Sequence, residues 1–205
     1  IALRLGQRRA QPRGVDELNF EDLVGQEQAV EALRAAIASG RVAQAYLFFG
    51  PASVGKRTAA LIFAKTLCCL EPLREPRSTG SLRPRSGQAG QAIGPCGECA
   101  SCRAIDREAH PDVRVVSPPL KALAGQAASL LENELLDVVG ERATIGIDQI
   151  RQNREKARMA PPPLLQEAFT KPHLGQRKVF IIDSADRMSP DAANAMLHLL
   201  EEPPP

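Results

Sequence analysis

An α/β domain with a parallel central sheet flanked by helices is the fold this sequence predicts, on three observations. Two short apolar runs, Ala45-Tyr46-Leu47-Phe48-Phe49 and Val179-Phe180-Ile181-Ile182, have the continuous apolar character of buried parallel strands. Segments with apolar residues at helical spacing alternate with them. The chain has 205 residues, 43% apolar and 24% charged, enough to bury a large core.

The elements follow in order. Residues 1–19 are basic (Arg4, Arg8, Arg9, Arg13) and aperiodic, and are expected to be a terminal segment without structure of its own. Asp22 or Gly25 opens a helix over Glu27–Ala38, with Val30, Leu33 and Ile37 on one face and Gly40 ending it. The strand at 45–49 leads through a glycine-bearing loop to a helix from Lys56 to about Leu70, with an expected buried stripe of Leu61, Ala64, Leu67 and Cys68. Residues 71–94 are rich in Arg, Ser, Gly, Pro and Gln and predict a flexible insertion. A helix over Ala100–Glu108, a turn at His110-Pro111 and a strand at Val113–Val116 come next. Leu120–Val139 carries a helical pattern, Ile145–Ile147 is short and apolar, and Asp148 is the expected N-cap of a helix to about Arg158, ended by Pro161-Pro162-Pro163. The second strand, ending in Asp183, precedes a helix from Pro190 to Glu201 with the expected stripe Ala193, Met196, Leu197 and Leu200.

Gly50-Pro51-Ala52-Ser53-Val54-Gly55-Lys56 matches the Gly-x4-Gly-Lys phosphate loop in its required place between a strand and a helix. The glycines let backbone N–H groups curl inward, the helix N-terminus adds its dipole, and Lys56 adds a point charge. The plain alternative is a strand–turn–helix that keeps only the shape. Two departures support it. Arg57 stands where a Ser or Thr hydroxyl would ligate Mg²⁺, and Thr58 is rotated about 100° away around the helix. Asp183 ends its strand as a Mg²⁺-side carboxylate would, but Ser184 follows it where an ATPase of this type puts Glu. ATP with Mg²⁺ is thus the cofactor the loop would take, with weak or absent hydrolysis, and no residue is assigned a catalytic role.

The five cysteines fall in two tight groups, Cys68-Cys69 and Cys96-x2-Cys99-x2-Cys102. That is a poor disulfide framework and good spacing for structural Zn²⁺ in a reducing compartment. Adjacent helical residues diverge by about 100°, so one of Cys68 and Cys69 would complete the set. Cys68 suits the buried stripe and Cys69 the metal, with His110 a rival ligand; reduced, packed thiols are the plain alternative. Net charge is +2, with six Phe, one Tyr and no Trp, which argues against a broad basic nucleic-acid surface or a base-stacking platform. No apolar run approaches membrane-span length.

In order along the chain these motifs resemble the bacterial clamp-loader subunits of DNA polymerase III, of the AAA+ superfamily. The likeness runs from about Phe20 to Pro204. It includes Leu23-Val24-Gly25-Gln26-Glu27, the loop at 50–56, the cysteines after its helix, His110-Pro111-Asp112, and Asn194-Ala195-Met196-Leu197-His198-Leu199-Leu200-Glu201-Glu202-Pro203-Pro204. Gln44 departs from the family's frequent His, and the 71–94 and 117–144 segments exceed a minimal member. Arg57, Ser184 and Ile181–Met188 resemble the delta-prime kind more than the motor tau/gamma kind.

The resemblance implies an AAA+ domain over 20–205 with a zinc-module and loop insertion at 69–110. It also implies lid and collar domains and a Ser-Arg-Cys arginine finger beyond Pro205. It implies a cytoplasmic stator that helps load the sliding clamp onto primed DNA beside tau/gamma and delta subunits, with no polymerase site of its own and no membrane partner. An active tau/gamma-type ATPase is the second reading, and a zinc-bearing phosphate-loop protein outside replication the third.

Overall fold

A computed structural model of the protein describes residues 2–4, 18–74, 93–118, 144–151 and 163–202. They divide into two compact units, one within Ile1–Val113 and Pro172–Val179 and the other within Arg114–Lys171 and Phe180–Pro205.

In the first unit, β1 (Ala2–Arg4) pairs in parallel with β2 (Leu47–Phe49), Leu3 standing opposite Phe48. This departs from the expected structureless terminus, and the reason is local. Leu3 is apolar amid the basic residues and is buried in the core with Phe20, Leu23, Leu33, Val54 and Ile62. A 3-10 turn at Phe20–Asp22 precedes α1 (Glu27–Ala38), whose N-cap is Gln26 rather than Asp22 or Gly25. Asp22 instead accepts the Asn19 N–H within the 3-10 turn, at 2.9 Å. Helix α1 buries Ala29, Val30 and Leu33.

Strand β2 is shorter than expected and not buried on both faces: Leu47 and Phe49 are exposed, and Phe48 packs on the core. Helix α2 (Lys56–Cys68) buries Ala59, Ile62, Phe63, Ala64, Lys65, Thr66 and Cys68, so its inward face is rotated from the expected stripe and leaves Leu61 and Leu67 half-buried. Phe63 meets Tyr46 edge to face, ring centroids 4.8 Å apart.

Strands β3 (Leu73–Arg74) and β4 (Ile93–Gly94) pair antiparallel and close the ends of the expected insertion, most of which lies outside the described residues. Helix α3 (Ala100–Asp106) stops two residues earlier than expected, and Glu108 takes a left-handed backbone, φ +53°. Buried Lys65 and half-buried Asp106 form an ion pair between α2 and α3, with Nζ 2.7 Å from each carboxylate oxygen. The Asp112 carboxylate accepts three backbone N–H bonds, from His173 at 2.6 Å, Leu174 at 2.7 Å and Gly175 at 3.0 Å.

Strands β5 (Val113–Val116) and β6 (Val179–Ile182) pair, and all but the first residue of each belongs to the second unit. The Val179 N–H reaches Asp112 O and the Asp183 N–H reaches Val116 O, both at 2.8 Å; partners that advance together mark the pair as parallel. Ile145 bridges Met188 in parallel. Helix α4 (Ile147–Ile150) is capped at Gly146, not Asp148, because the Gln149 side chain reaches back to the Gly146 N–H at 3.2 Å. Residues 152–158 of the expected longer helix, and the 120–139 pattern, lie outside the described residues.

Pro163 caps a short α5 (Leu164–Ala168) that periodicity did not suggest. Helix α6 (Pro190–Glu201) starts where expected, the Ser189 hydroxyl accepting the Ala192 N–H at 3.2 Å. Its buried face is Ala192 and Leu199 with Ala195 and Met196 beside them. The expected Leu197 and Leu200 are exposed instead. Among the described residues no helix is long and apolar enough to cross a membrane.

Two outcomes follow from this packing. Leu33→Ala, at a fully buried position, should lower unfolding stability by about 2–5 kcal/mol in a denaturant titration, and Leu197→Ala by under about 0.5 kcal/mol. Burial alone would raise the Asp112 carboxyl, but the three N–H donors outweigh it and hold it below the ordinary carboxylate value. Its contribution is therefore present above that ordinary value and lost as pH falls below it, and Asp112→Asn should flatten that acid limb.

Candidate functional site

Helix α2 has a candidate site at each end. At its start the chain turns from Phe49 through Gly50–Gly55 into Lys56, the first helical residue. The turn needs backbone that L side chains avoid, with φ +148° at Gly50 and +87° at Gly55. Ser53 is also left-handed, at φ +59°. Val54 is buried in the core and holds the turn from within, and a Cβ on Gly55 would come 3.6 Å from Leu23 Cδ2. The 23–27 segment thus begins against the turn.

Lys56 Nζ donates to the carbonyls of Gly50 at 3.1 Å and Pro51 at 2.6 Å, which lays its charge over the loop. The Arg57 guanidinium donates instead to Glu108 Oε1 at 2.7 Å. Pro51 and Ala52 are exposed, and Thr58 is half-buried. Backbone N–H groups at the start of α2, with Lys56, suit an anion. Position 57 offers a divalent cation no oxygen. Asp183 and Ser184 lie in the second unit, just after β6; Ser184 is left-handed, φ +58°, and heads the 3-10 turn Ala185–Arg187.

At the other end of α2, Cys69 leaves the helix with extended backbone. Cys68 stays buried in the helix, its Sγ 3.9 Å from the Arg177 carbonyl. Cys99 is the N-cap of α3, its sulfur accepting the Cys102 N–H at 3.4 Å. The structure brings the sulfurs of Cys69, Cys96, Cys99 and Cys102 within 4.8 Å of one another. The separations are 3.5 Å for Cys69–Cys96, 3.6 Å for Cys69–Cys102, and 3.9 Å for both Cys69–Cys99 and Cys96–Cys102. A tetrahedron with Zn–S bonds of about 2.3 Å has S–S edges of about 3.8 Å, whereas a disulfide is about 2.05 Å.

Two more sulfurs accept backbone N–H groups, Cys69 from Cys96 at 3.4 Å and Cys96 from Cys99 at 3.3 Å, as second-layer donors to thiolates do. The residues therefore fit Zn²⁺, and four thiolates leave no open coordination position. His110 is not part of the cluster. Its Nε2 lies 2.9 Å from Ser101 Oγ and its Nδ1 accepts the Asp112 N–H at 3.0 Å, so both ring nitrogens are engaged. Reading the sequence missed Ser101 and Glu108, two polar residues whose partners lie elsewhere in the chain. A hint for Lys65 was there, since a lysine among Ala64, Phe63 and Ile62 needs a buried partner.

The thiols are electrostatically unequal. Burial would raise Cys99, but N–H groups of Cys102 and Leu70 and the neighbouring thiols outweigh it and bring it to about 6. Burial raises Cys102 and Cys69, with the N–H groups of Gly97 and Cys96 opposing it in part, and burial pushes Cys68 to about 12. In chelated protein at pH 7, iodoacetamide should therefore label Cys99 first and leave Cys68 unlabelled, and added zinc should protect Cys99; peptide mass spectrometry reads both. Because Cys99 sits below the ordinary thiol value of 9.0, its contribution to metal-free stability is complete above that value and lost as pH falls through about 6.

The comparisons with known proteins bear on the whole chain. The family described as DNA polymerase III, delta subunit, matches residues 25–205. The chain is 33% identical over 186 residues to the DNA polymerase III subunit tau of Bacillus subtilis, covering 90% of this chain and 24% of the relative. It is 30% identical over 185 residues to subunit tau/gamma of Haemophilus influenzae, covering 90% and 19%. It is 30% identical over 179 residues to subunit delta' of Bacillus subtilis, covering 87% and 38%. The chain thus spans about a fifth to two fifths of the length of these relatives. With that match over nearly all of its length, the chain belongs to the DNA polymerase III delta subunit family.

Proposed function

We propose that this chain is the AAA+ domain, over 20–205, of a delta-prime-like stator in the DNA polymerase III clamp loader. In this reading it works in the cytoplasm beside tau/gamma and delta subunits while the sliding clamp is loaded onto primed DNA, and it does not itself turn over ATP. One observation carries the reading. The side chain at the Mg²⁺-ligand position is Arg57, a cation that pairs with Glu108. Ser184 supports it, since a hydroxyl in place of a carboxylate cannot act as the water-polarising base. Similarity to tau/gamma relatives favours a second reading, the active ATPase, because Gly50, Gly55, Lys56 and Asp183 are all present. The four-thiol cluster serves as a structural Zn²⁺ site that staples Cys69 to the start of α3.

Full-length protein should show no Mg²⁺-dependent ATP turnover that Lys56→Ala removes. Turnover abolished by that substitution would establish the active-ATPase reading instead. Metal analysis should find about one zinc per chain, reduced more than about tenfold in affinity by Cys99→Ser.

A further inference from the structure

Beside the thiol cluster lies a buried polar chain that metal binding alone does not use. Ser101, next to Cys102 on the first turn of α3, is fully buried. Its Oγ donates to the Cys68 carbonyl at 2.7 Å, which leaves the oxygen to accept from His110 Nε2 at 2.9 Å. With the proton on Nε2, Nδ1 is the acceptor, and it takes the Asp112 N–H at 3.0 Å. The Asp112 side chain continues the chain to the N–H groups of His173, Leu174 and Gly175. The Asp112 carbonyl also takes the first N–H of β6, from Val179 at 2.8 Å. Every member lies in the first unit, and Ser101, His110 and Asp112 are all buried.

Serine, histidine and aspartate together suggest a hydrolase by residue type, and the geometry rejects it. The Asp112 carboxylate accepts from the 173–175 backbone and not from His110 Nδ1, the serine hydroxyl donates to a carbonyl, and Ser101, His110 and Asp112 are all buried. What the chain does connect is two structural features. One is the α3 turn that bears Cys99 and Cys102; the other is the loop that feeds β6. Hydrogen bonds in series between rigid elements transmit displacement, because a buried donor or acceptor that loses its partner must find another.

We propose that the metal state of the thiol cluster sets the order of the 173–175 loop, passed on through Ser101, His110 and Asp112. The inference rests on the zinc reading above. Filling the cluster fixes the first turn of α3, which fixes Ser101, the His110 ring and the Asp112 main chain in turn. Emptying it removes the metal bonds at Cys99 and Cys102 and leaves weak sulfur contacts in their place, Cys96–Cys102 at 3.9 Å and the Cys102 N–H to Cys99 Sγ at 3.4 Å.

Residue-resolved amide hydrogen exchange on full-length protein tests this, zinc-loaded against chelator-stripped, with zinc content measured on the same samples. Stripping should speed exchange at His173, Leu174 and Gly175 by about tenfold while the α1 amides around Leu33 stay as they were. Ser101→Ala with zinc still bound should speed the same three amides, and Ser101→Thr, which keeps the hydroxyl, should leave them slow. The wild-type comparison stands even if a variant fails to fold. Zinc that leaves without any change at 173–175 overturns the inference and spares the metal reading. So does a rise shared equally by α1, which is global loosening. A chain that takes up no zinc overturns both.

Discussion

An ion pair between buried Lys65 and half-buried Asp106 sets the register of α2 against α3, and both candidate sites hang from those helices. Buried pairs are poor sources of net stability, because desolvation offsets attraction, but stranding one partner costs about 3–5 kcal/mol. Such a pair therefore tolerates one register and punishes others. Helix α2 starts at Lys56 and ends at Cys68, so pinning Lys65 places the glycine turn at one end and Cys69 at the other. Cys99 and Cys102 ride on the start of α3. A slip of one helical turn, about 5.4 Å, exceeds the 3.6 Å between Cys69 and Cys102 and would dissolve the cluster.

Within that frame the thiols illustrate a site designed around a charge it does not itself carry. One of them, Cys99, is easily ionised because N–H groups converge on it, and its neighbours Cys69 and Cys102 are held protonated. Four thiolates within 4.8 Å repel one another unless a cation balances them, and burial adds to the cost of ionising Cys69 and Cys102. A divalent metal converts that mutual repulsion into four bonds. A zinc held there would supply what a short helix and two two-residue strands cannot, a fixed point for a segment with little apolar surface of its own.

How much of this was legible depended on the range of the signal. Tight local patterns were readable: β5 at Val113–Val116, α1 at Glu27–Ala38 and the helix start at Pro190 are all set by neighbours in sequence. Helix faces were not, because α2 and α6 each have apolar residues on more than one side and tertiary packing chose among them, burying Leu199 and exposing Leu197 and Leu200. Cys69 could be favoured over Cys68 only through the same facing argument. The Ala2–Arg4 strand was hidden because three residues carry no period, and its partner lies more than forty residues away. Ser101 and Glu108 were invisible for the same reason: each is defined by a partner, not by a pattern.

The glycine turn poses the question of why a loop that lacks its cation ligand keeps its shape. The Arg57–Glu108 pair is not the answer, since it is an exposed contact worth about 0–1 kcal/mol, and freeing Arg57 would still leave a cation where an oxygen is needed. Packing is a better answer. Val54 is part of the core with Leu33 and Ile62, and Gly55 leaves room for Leu23 at a backbone angle that L residues resist. Replacing the turn would therefore disturb the 20–33 region whether or not a nucleotide is ever held. Anion binding and cation chemistry also draw on separate groups, the helix-start N–H groups and Lys56 for one and the side chain at 57 for the other. A subunit can lose the second and keep the first, and the retained Gly-x4-Gly-Lys pattern is by itself evidence of fold, not of turnover.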